Sequence, residues 1–208
     1  MNILITGFGP FPGAPFNPTG RLAEKLAQNR RLASGGVRYT AHVFRTRYDA
    51  IDHDLPELLA RLKPDVVLMF GLASRTRHVR VETRARNTIS GTLPDAAGRK
   101  PQSARIAAGA AASLPLRAPA HRLVRAARMA GVAAAPSHNA GRYLCNYLCW
   151  RAAEAAARPD GPRLVAFVHV PNVRIVGGPR IAALSFEQLM RAAEAIVREA
   201  VAAARTAR

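Results

Sequence analysis

Lysine is nearly missing from this chain. Of its 31 lysine and arginine residues, only Lys25, Lys63 and Lys100 are lysine. Aromatic residues are also sparse, at 6%. A nucleic-acid surface clusters its basic residues and interleaves them with aromatics, whereas here the arginines run along the whole length. Arginine and alanine rise together, as in AAGAAAS and EAAAR, which reads as compositional bias. The net charge of +18 therefore implies weak, salt-sensitive attraction to polyanions and no specific nucleic-acid partner.

Other absences narrow the class further. No apolar run is long enough to cross a bilayer, and MNILITGFGPF has neither a cationic leader nor a long enough apolar stretch for secretion. A cytoplasmic protein without a membrane partner is expected. Cysteine occurs twice, at Cys145 and Cys149, which is no disulfide framework. No histidine pair has HExxH spacing, and the cysteines lack a zinc-like partner set, so no metal is expected.

What is present is an alternation of β-like and helical runs. MNILIT, RYTAHVF, DVVLMFG and LVAFVHV read as strands. Residues 49–62 read as a helix with Ile51, Leu55, Leu58, Leu59 and Leu62 on its buried stripe, stopped by Pro64. A first helix is predicted with Asn17 as N-cap and Pro18 at its first position. Residues 76–86 read as extended and charged, and a helix over 121–129 leads to a strand near Val132. The loop APSHNAGRY opens a helix carrying both cysteines. The last helix opens with a capping box, Ser185 with Gln188, and a staple of Leu184 on Leu189. With no repeat or linker, residues 1–208 are expected to form one domain, a three-layer α/β/α sandwich with a mainly parallel, mixed sheet. Ligands of such sheets sit beyond the carboxyl ends of the strands.

The loop GFGPFPG invites a dinucleotide reading that its spacing does not support. Gly7, Gly9 and Gly13 are one residue too far apart for G-x-G-x-x-G, and Pro10 and Pro12 interrupt the required helix. A tight Gly/Pro loop is the better reading, and no cofactor is expected. Phe8 and Phe11 are placed to line an apolar slot.

Cys145 falls where the Gly141 loop gives way to helix. A thiol there meets the positive end of the helix dipole and free amides, which favour the thiolate and can hold an oxyanion. Buried cysteines also simply fill space, and Cys149 reads that way. His169 closes an apolar strand, a position that suits either a structural imidazole or a base beside a nucleophile. His138 lies in the loop before Cys145, and His78 in the charged segment. Glu82, within HVRVETRARN, reads on its own as a carboxylate answering Arg77, Arg80, Arg84 and Arg86.

Three motifs in order resemble the pyroglutamyl peptidase I (pyrrolidone-carboxylate peptidase) family of cysteine peptidases over almost the whole chain. ILITGFGPFPGAPFNPT is similar to that family's TGFxPFGG…NPS, SHNAGRYLCNYLCW to its SNTAGxxxCN, and LVAFVHVP to its histidine strand. By position the resemblance implies Cys145 as nucleophile, His169 as base and Glu82 as third member, with ETRARN standing for ERVAxN. It implies Phe8 and Phe11 as the aromatics that sandwich a lactam ring, Asn17 as the NPS asparagine, and Tyr143 and Leu144 as the wall beside the thiol. The implied reaction removes an N-terminal pyroglutamyl residue through a thioester, with no metal or cofactor, and the implied assembly is a homo-oligomer.

Several positions depart from the pattern. Gly9 replaces an acid, Pro12 a glycine, Leu72 a glutamine and Arg142 a small polar residue. Thr92 stands for an arginine, and PNVRIVGG for PYLPEQ. Two alternatives to pyroglutamyl release follow: the same thiol chemistry on another N-terminal acyl or lactam group, or a non-catalytic module binding polyanions.

Overall fold

A computed structural model describes residues 1–11, 13–33, 35–174 and 184–206. Its centre is a six-stranded sheet of β1 (Asn2–Phe8), β2 (Arg38–Phe44), β3 (Val66–Leu72), β4 (Val79–Glu82), β7 (Ala134–Ser137) and β8 (Leu164–Val170), in the order β2-β1-β3-β8-β4-β7. Every neighbouring pair is parallel except β8 with β4. The strands β3 and β8 are apolar along nearly their whole length because helices cover both of their faces. Two short ribbons complete the strands: β5 (Arg84–Arg86) with β6 (Ser113–Pro115), and β9 (Val173–Arg174) with β10 (Leu184–Ser185). The mixed, mainly parallel α/β architecture is the one expected.

Two cores flank the sheet. On one face α1 (Thr19–Ala27), α3 (Ala120–Met129) and α5 (Phe186–Thr206) bury Leu22, Leu123, Leu189 and Ile196 against Ile5, Leu68 and Val168. On the other, α2 (Tyr48–Leu62) and α4 (Leu144–Ala156) bury Ile51, Leu55 and Trp150 against Leu4, Met69 and Phe167. Alternation along each strand divides the side chains between the two faces. Val81 therefore faces the first core, and its neighbours Arg80 and Glu82 face the α2/α4 side.

The helix ends follow local chemistry. At α5 the Gln188 N–H donates to Ser185 Oγ at 3.1 Å and the Ser185 N–H donates to Gln188 Oε1 at 2.8 Å, which is the capping box. Leu184 and Leu189 share the first core. Lys63 ends α2 in the left-handed region, at φ 42°, and Pro64 prevents continuation. The strand expected near Val132 begins two residues later, at Ala134.

One boundary shifts by a residue. The first helical bond runs from the Leu22 N–H to the Pro18 carbonyl at 2.9 Å, although Pro18 has the helical angles expected of a first helical residue. Asn17 keeps a capping contact and also ties back the loop before α1. Its Oδ1 accepts from the Thr19 N–H at 3.1 Å, and its Nδ2 donates to Gly9 O at 3.1 Å. Pro12 and residues 175–183, which hold much of the departing segment after Pro171, lie outside the described residues.

Candidate active site

The site follows from strand register. β3 and β8 run parallel with Gly71 level with His169, and β4 runs antiparallel to β8 with Arg80 level with His169 and Glu82 level with Phe167. Partners across a ladder point to the same face, so His169, Arg80 and Glu82 meet on the α2/α4 side. The first turn of α4 settles onto the same spot. A Cβ built on Gly71 would lie 2.9 Å from Cys145 Sγ and 2.6 Å from the Phe167 ring. The absent side chain of Gly71 is thus the space the thiol occupies.

Glu82 and His169 are both buried, and His169 Nδ1 lies 2.7 Å from Glu82 Oε1. We assign the proton to Nδ1, which donates to the carboxylate and leaves the Nε2 lone pair free. Arg80 Nη2 lies 3.3 Å from Nδ1 and 3.4 Å from Glu82 Oε1. The Phe167 ring packs against the imidazole at 4.9 Å between centroids.

Protonation is set by competition between burial and these neighbours. Burial raises the Glu82 pKa, but the His169 hydrogen bond and charge, with Ser137 and Arg80, outweigh it and hold the carboxyl below its ordinary value. For His169, burial lowers the pKa more than Glu82 raises it, and Arg80 lowers it further, so the imidazole rests neutral. Cys145 corrects an expectation. Burial, then the Glu82 charge, pushes its thiol up to about 12 against the pull of Arg80 and its own amide. Cys145 keeps partial contact with solvent, which moderates the burial contribution without reversing its direction. The helix dipole falls off within one turn and is worth about 1 kcal/mol. It does not offset desolvation beside a carboxylate, so the resting sulfur is a thiol.

Around this centre lies a cleft of about 360 Å³, a size that suits a small ligand. Phe8, Phe11 and Asn17 line it together with Tyr143, Leu144, Cys145 and His169. Glu82 sits beneath, out of the cleft. The Phe11 and Tyr143 rings are 6.5 Å apart, and Tyr143 Oη donates to Pro94 O at 2.9 Å. Of the departing positions, Leu72 lines the cleft, while Thr92 and Arg142 are exposed. His138 is not in the cleft; its Nδ1 is 2.6 Å from Thr83 Oγ1. A larger cavity, about 440 Å³, lies between α2 and α4, but none of the candidate catalytic or substrate-binding residues lines it. The smaller cleft is where a nucleophile, a base and an apolar slot coincide. Among the described residues no three His, Cys, Asp or Glu side chains gather as a metal site would need, and no helix is long and apolar enough to cross a membrane.

Sequence reading missed four contributors. Gly71 was signalled by a glycine inside an otherwise bulky strand. Arg80 shares strand parity with Glu82 but read as one of several surface arginines. Arg75 also lines the cleft. Asn146, next to the thiol, is buried in an apolar helix. It accepts from the Arg86 N–H at 2.9 Å and donates to Arg86 O and Thr88 O at 2.8 and 2.9 Å, clamping α4 to β5.

Known proteins carry the same arrangement of chain. The sequence profile of the pyroglutamyl peptidase family matches residues 1–205. A pyrrolidone-carboxylate peptidase of Thermococcus onnurineus is 31% identical over 209 residues, spanning 98% of this chain and 100% of that one. The corresponding protein of Pyrococcus furiosus is 30% identical over 173 residues, covering 83% and 82%. The solved structure of pyrrolidone carboxyl peptidase from Thermococcus litoralis superposes with a TM-score of 0.88 at 27% identity, covering 100% of this chain and 96% of that one. With the profile spanning nearly every residue and relatives of this identity matched along most of their own length, this chain belongs to the pyroglutamyl peptidase family.

Proposed function

We propose that this chain is a cysteine peptidase that releases an N-terminal pyroglutamyl residue from peptides, with Cys145 as nucleophile, His169 as base and Glu82 as the group that orients the base. The observation that carries the reading is the register that sets the Glu82–His169 pair on the sheet face where Cys145 Sγ fills the space above Gly71.

The chemistry follows from the resting protonation. As Cys145 Sγ bonds to the pyroglutamyl carbonyl carbon, its proton passes to His169 Nε2, and Glu82 stabilises the imidazolium that forms. The α4 N-cap, Tyr143, makes no side-chain capping bond, so first-turn amides near Cys145 are free to donate to the oxyanion. The imidazolium then protonates the leaving amine as the C–N bond breaks. Water attacks the thioester, its proton going to His169 and from there to sulfur, and pyroglutamate leaves. The lactam ring is flat and neutral, which suits the apolar end of the cleft at Phe8 and Phe11, with Tyr143 and Leu144 as its wall.

The test is amine release from a pyroglutamyl anilide. Wild type turns over and Cys145→Ala does not; equal rates for the two would rule the reading out. The proposal extends to one cooperatively unfolding domain over residues 1–208 and to a homo-oligomer in a reducing cytoplasm. Calorimetric unfolding and sedimentation velocity check the first two.

A further inference from the structure

The order of strands gives the cleft a direction. Phe8 ends β1, Gly71 lies beneath the thiol near the end of β3, and His169 stands near the end of β8. Because β4 is reversed, its beginning at Arg80 comes to the same edge. An acyl group held at Phe8 and Phe11 therefore lies toward β1. The chain beyond the bond to be cut runs over β8 toward β4. The loop joining β3 to β4 crosses that path, held there by the Ala73 N–H donating to Val170 O at 2.8 Å and Asn172 Nδ2 donating to Ser74 O at 3.2 Å. It brings Arg75 to the cleft beside Arg80.

This end carries two arginines and, among the described residues, one carboxylate near them, Glu82 beneath Arg80. Among the described residues no acidic side chain lines the cleft. Arg75 is exposed and makes no ion pair among the described residues. Arg80 Nη2 approaches Glu82 Oε1 and His169 Nδ1, two atoms already engaged with each other, and Arg80 Nε is buried without a hydrogen-bond partner among the described residues. Residues 171–186 contain no Asp or Glu, so that stretch of sequence supplies no carboxylate either. A pyroglutamyl group is neutral, so any substrate anion meeting these arginines comes from the leaving part.

We propose that Arg75 and Arg80 form a carboxylate-binding subsite on the leaving-group side, making this chain selective for pyroglutamyl substrates with a carboxylate on the residue next to the cut. The carboxylate is either an Asp or Glu side chain or the free terminus of a pyroglutamyl dipeptide; both offer the planar acceptor that guanidinium groups engage in pairs. Such a group would also offset the Arg80 charge, which opposes protonation of His169, so the benefit extends to turnover. This inference rests on the proposed function for where the acyl group sits.

Binding is read in Cys145→Ala by calorimetry, with pyroglutamyl-alanine amide, pyroglutamyl-alanine free acid and pyroglutamyl-glutamate amide. At least one carboxylate ligand is expected to bind about tenfold tighter than the neutral amide, the scale of one charge-assisted contact, and which one identifies the source. Adding Arg80→Gln, or Arg75→Gln should the first fail to fold, brings the ratio near one. Equal affinities, or a ratio that survives both substitutions, overturns the subsite. Hydrolysis by wild type with equal binding removes the subsite and leaves the activity. Selective binding without hydrolysis does the reverse.

Discussion

Gly71 and Cys145 share one space: a side chain on the first would begin 2.9 Å from the sulfur of the second. Gly71→Ala therefore drives a methyl into the thiol and into the Phe167 ring. The expected cost is about 1–3 kcal/mol, as for other overpacked cores, with a loss of peptidase activity larger than the stability change explains. Denaturant unfolding read beside anilide turnover checks both.

The neutral thiol sets the labelling behaviour. With Cys145 pushed up to about 12, alkylation by iodoacetamide in the absence of substrate is expected to be slow near pH 7 and to climb through pH 9 and beyond. Cys149, fully buried and also held well above its ordinary value by that burial, stays unlabelled until unfolding. Fast labelling of Cys145 at pH 6–7 would mean a preformed thiolate and a different resting state.

Activity should follow the neutral imidazole. His169 lies below its ordinary 6.5, so kcat/KM is expected to rise with a midpoint under 6.5 and stay level past pH 9. Glu82→Gln keeps a hydrogen-bonding side chain but loses the charge that stabilises the imidazolium. Turnover is expected to fall by about a hundredfold or more, the range of a lost acid–base partner. The pH–rate profiles of both proteins supply the measurement.

Stability should fall with acid for two reasons of the same sign. A folded-state His169 pKa below 6.5 means the unfolded chain takes up its proton first, so stability drops as pH falls from about 6.5 toward the folded value. Glu82, held below its ordinary 4.5, contributes stability above that pH and loses it as pH falls through the folded pKa. Urea midpoints between pH 7 and 3 are expected to decline in both windows, and His169→Phe should remove the upper one.

Asn146 is buried and its side chain makes three bonds to the backbone of Arg86 and Thr88. Asn146→Ala leaves those groups unpaired, at about 1–3 kcal/mol for each left buried. A lowered denaturant midpoint and a slower turnover are expected together, since the clamp also fixes the turn bearing Cys145.

Strands β1, β3 and β8 could be read from the sequence because each is a short, nearly unbroken apolar run, β2 because RYTAHVF is rich in β-branched and aromatic residues, and α5 because its capping box is local. Three-dimensional neighbours were harder. Nothing in HVRVETRARN states that β4 pairs antiparallel with β8, yet that pairing lifts Glu82 out of its ordinary reading among arginines and sets it on His169. The thiol's ionisation was misjudged for a related reason. A helix start is visible in sequence, whereas the depth of the groove it sinks into depends on Gly71 and Phe167 from two other strands. Asn17 keeps the local bond from the Thr19 N–H, but its second bond, to Gly9 O, depends on a loop path that the local sequence does not state.

The placement of β8 between β3 and β4 bears on biogenesis. Strand β3, apolar along nearly its whole length, pairs with β1 on one side, but its other edge waits for a partner synthesised roughly a hundred residues later. Until then a nascent chain presents an open, sticky template on the ribosome. C-terminal truncations that stop short of Leu164 would leave that template bare, and chaperone capture or aggregation is their expected fate.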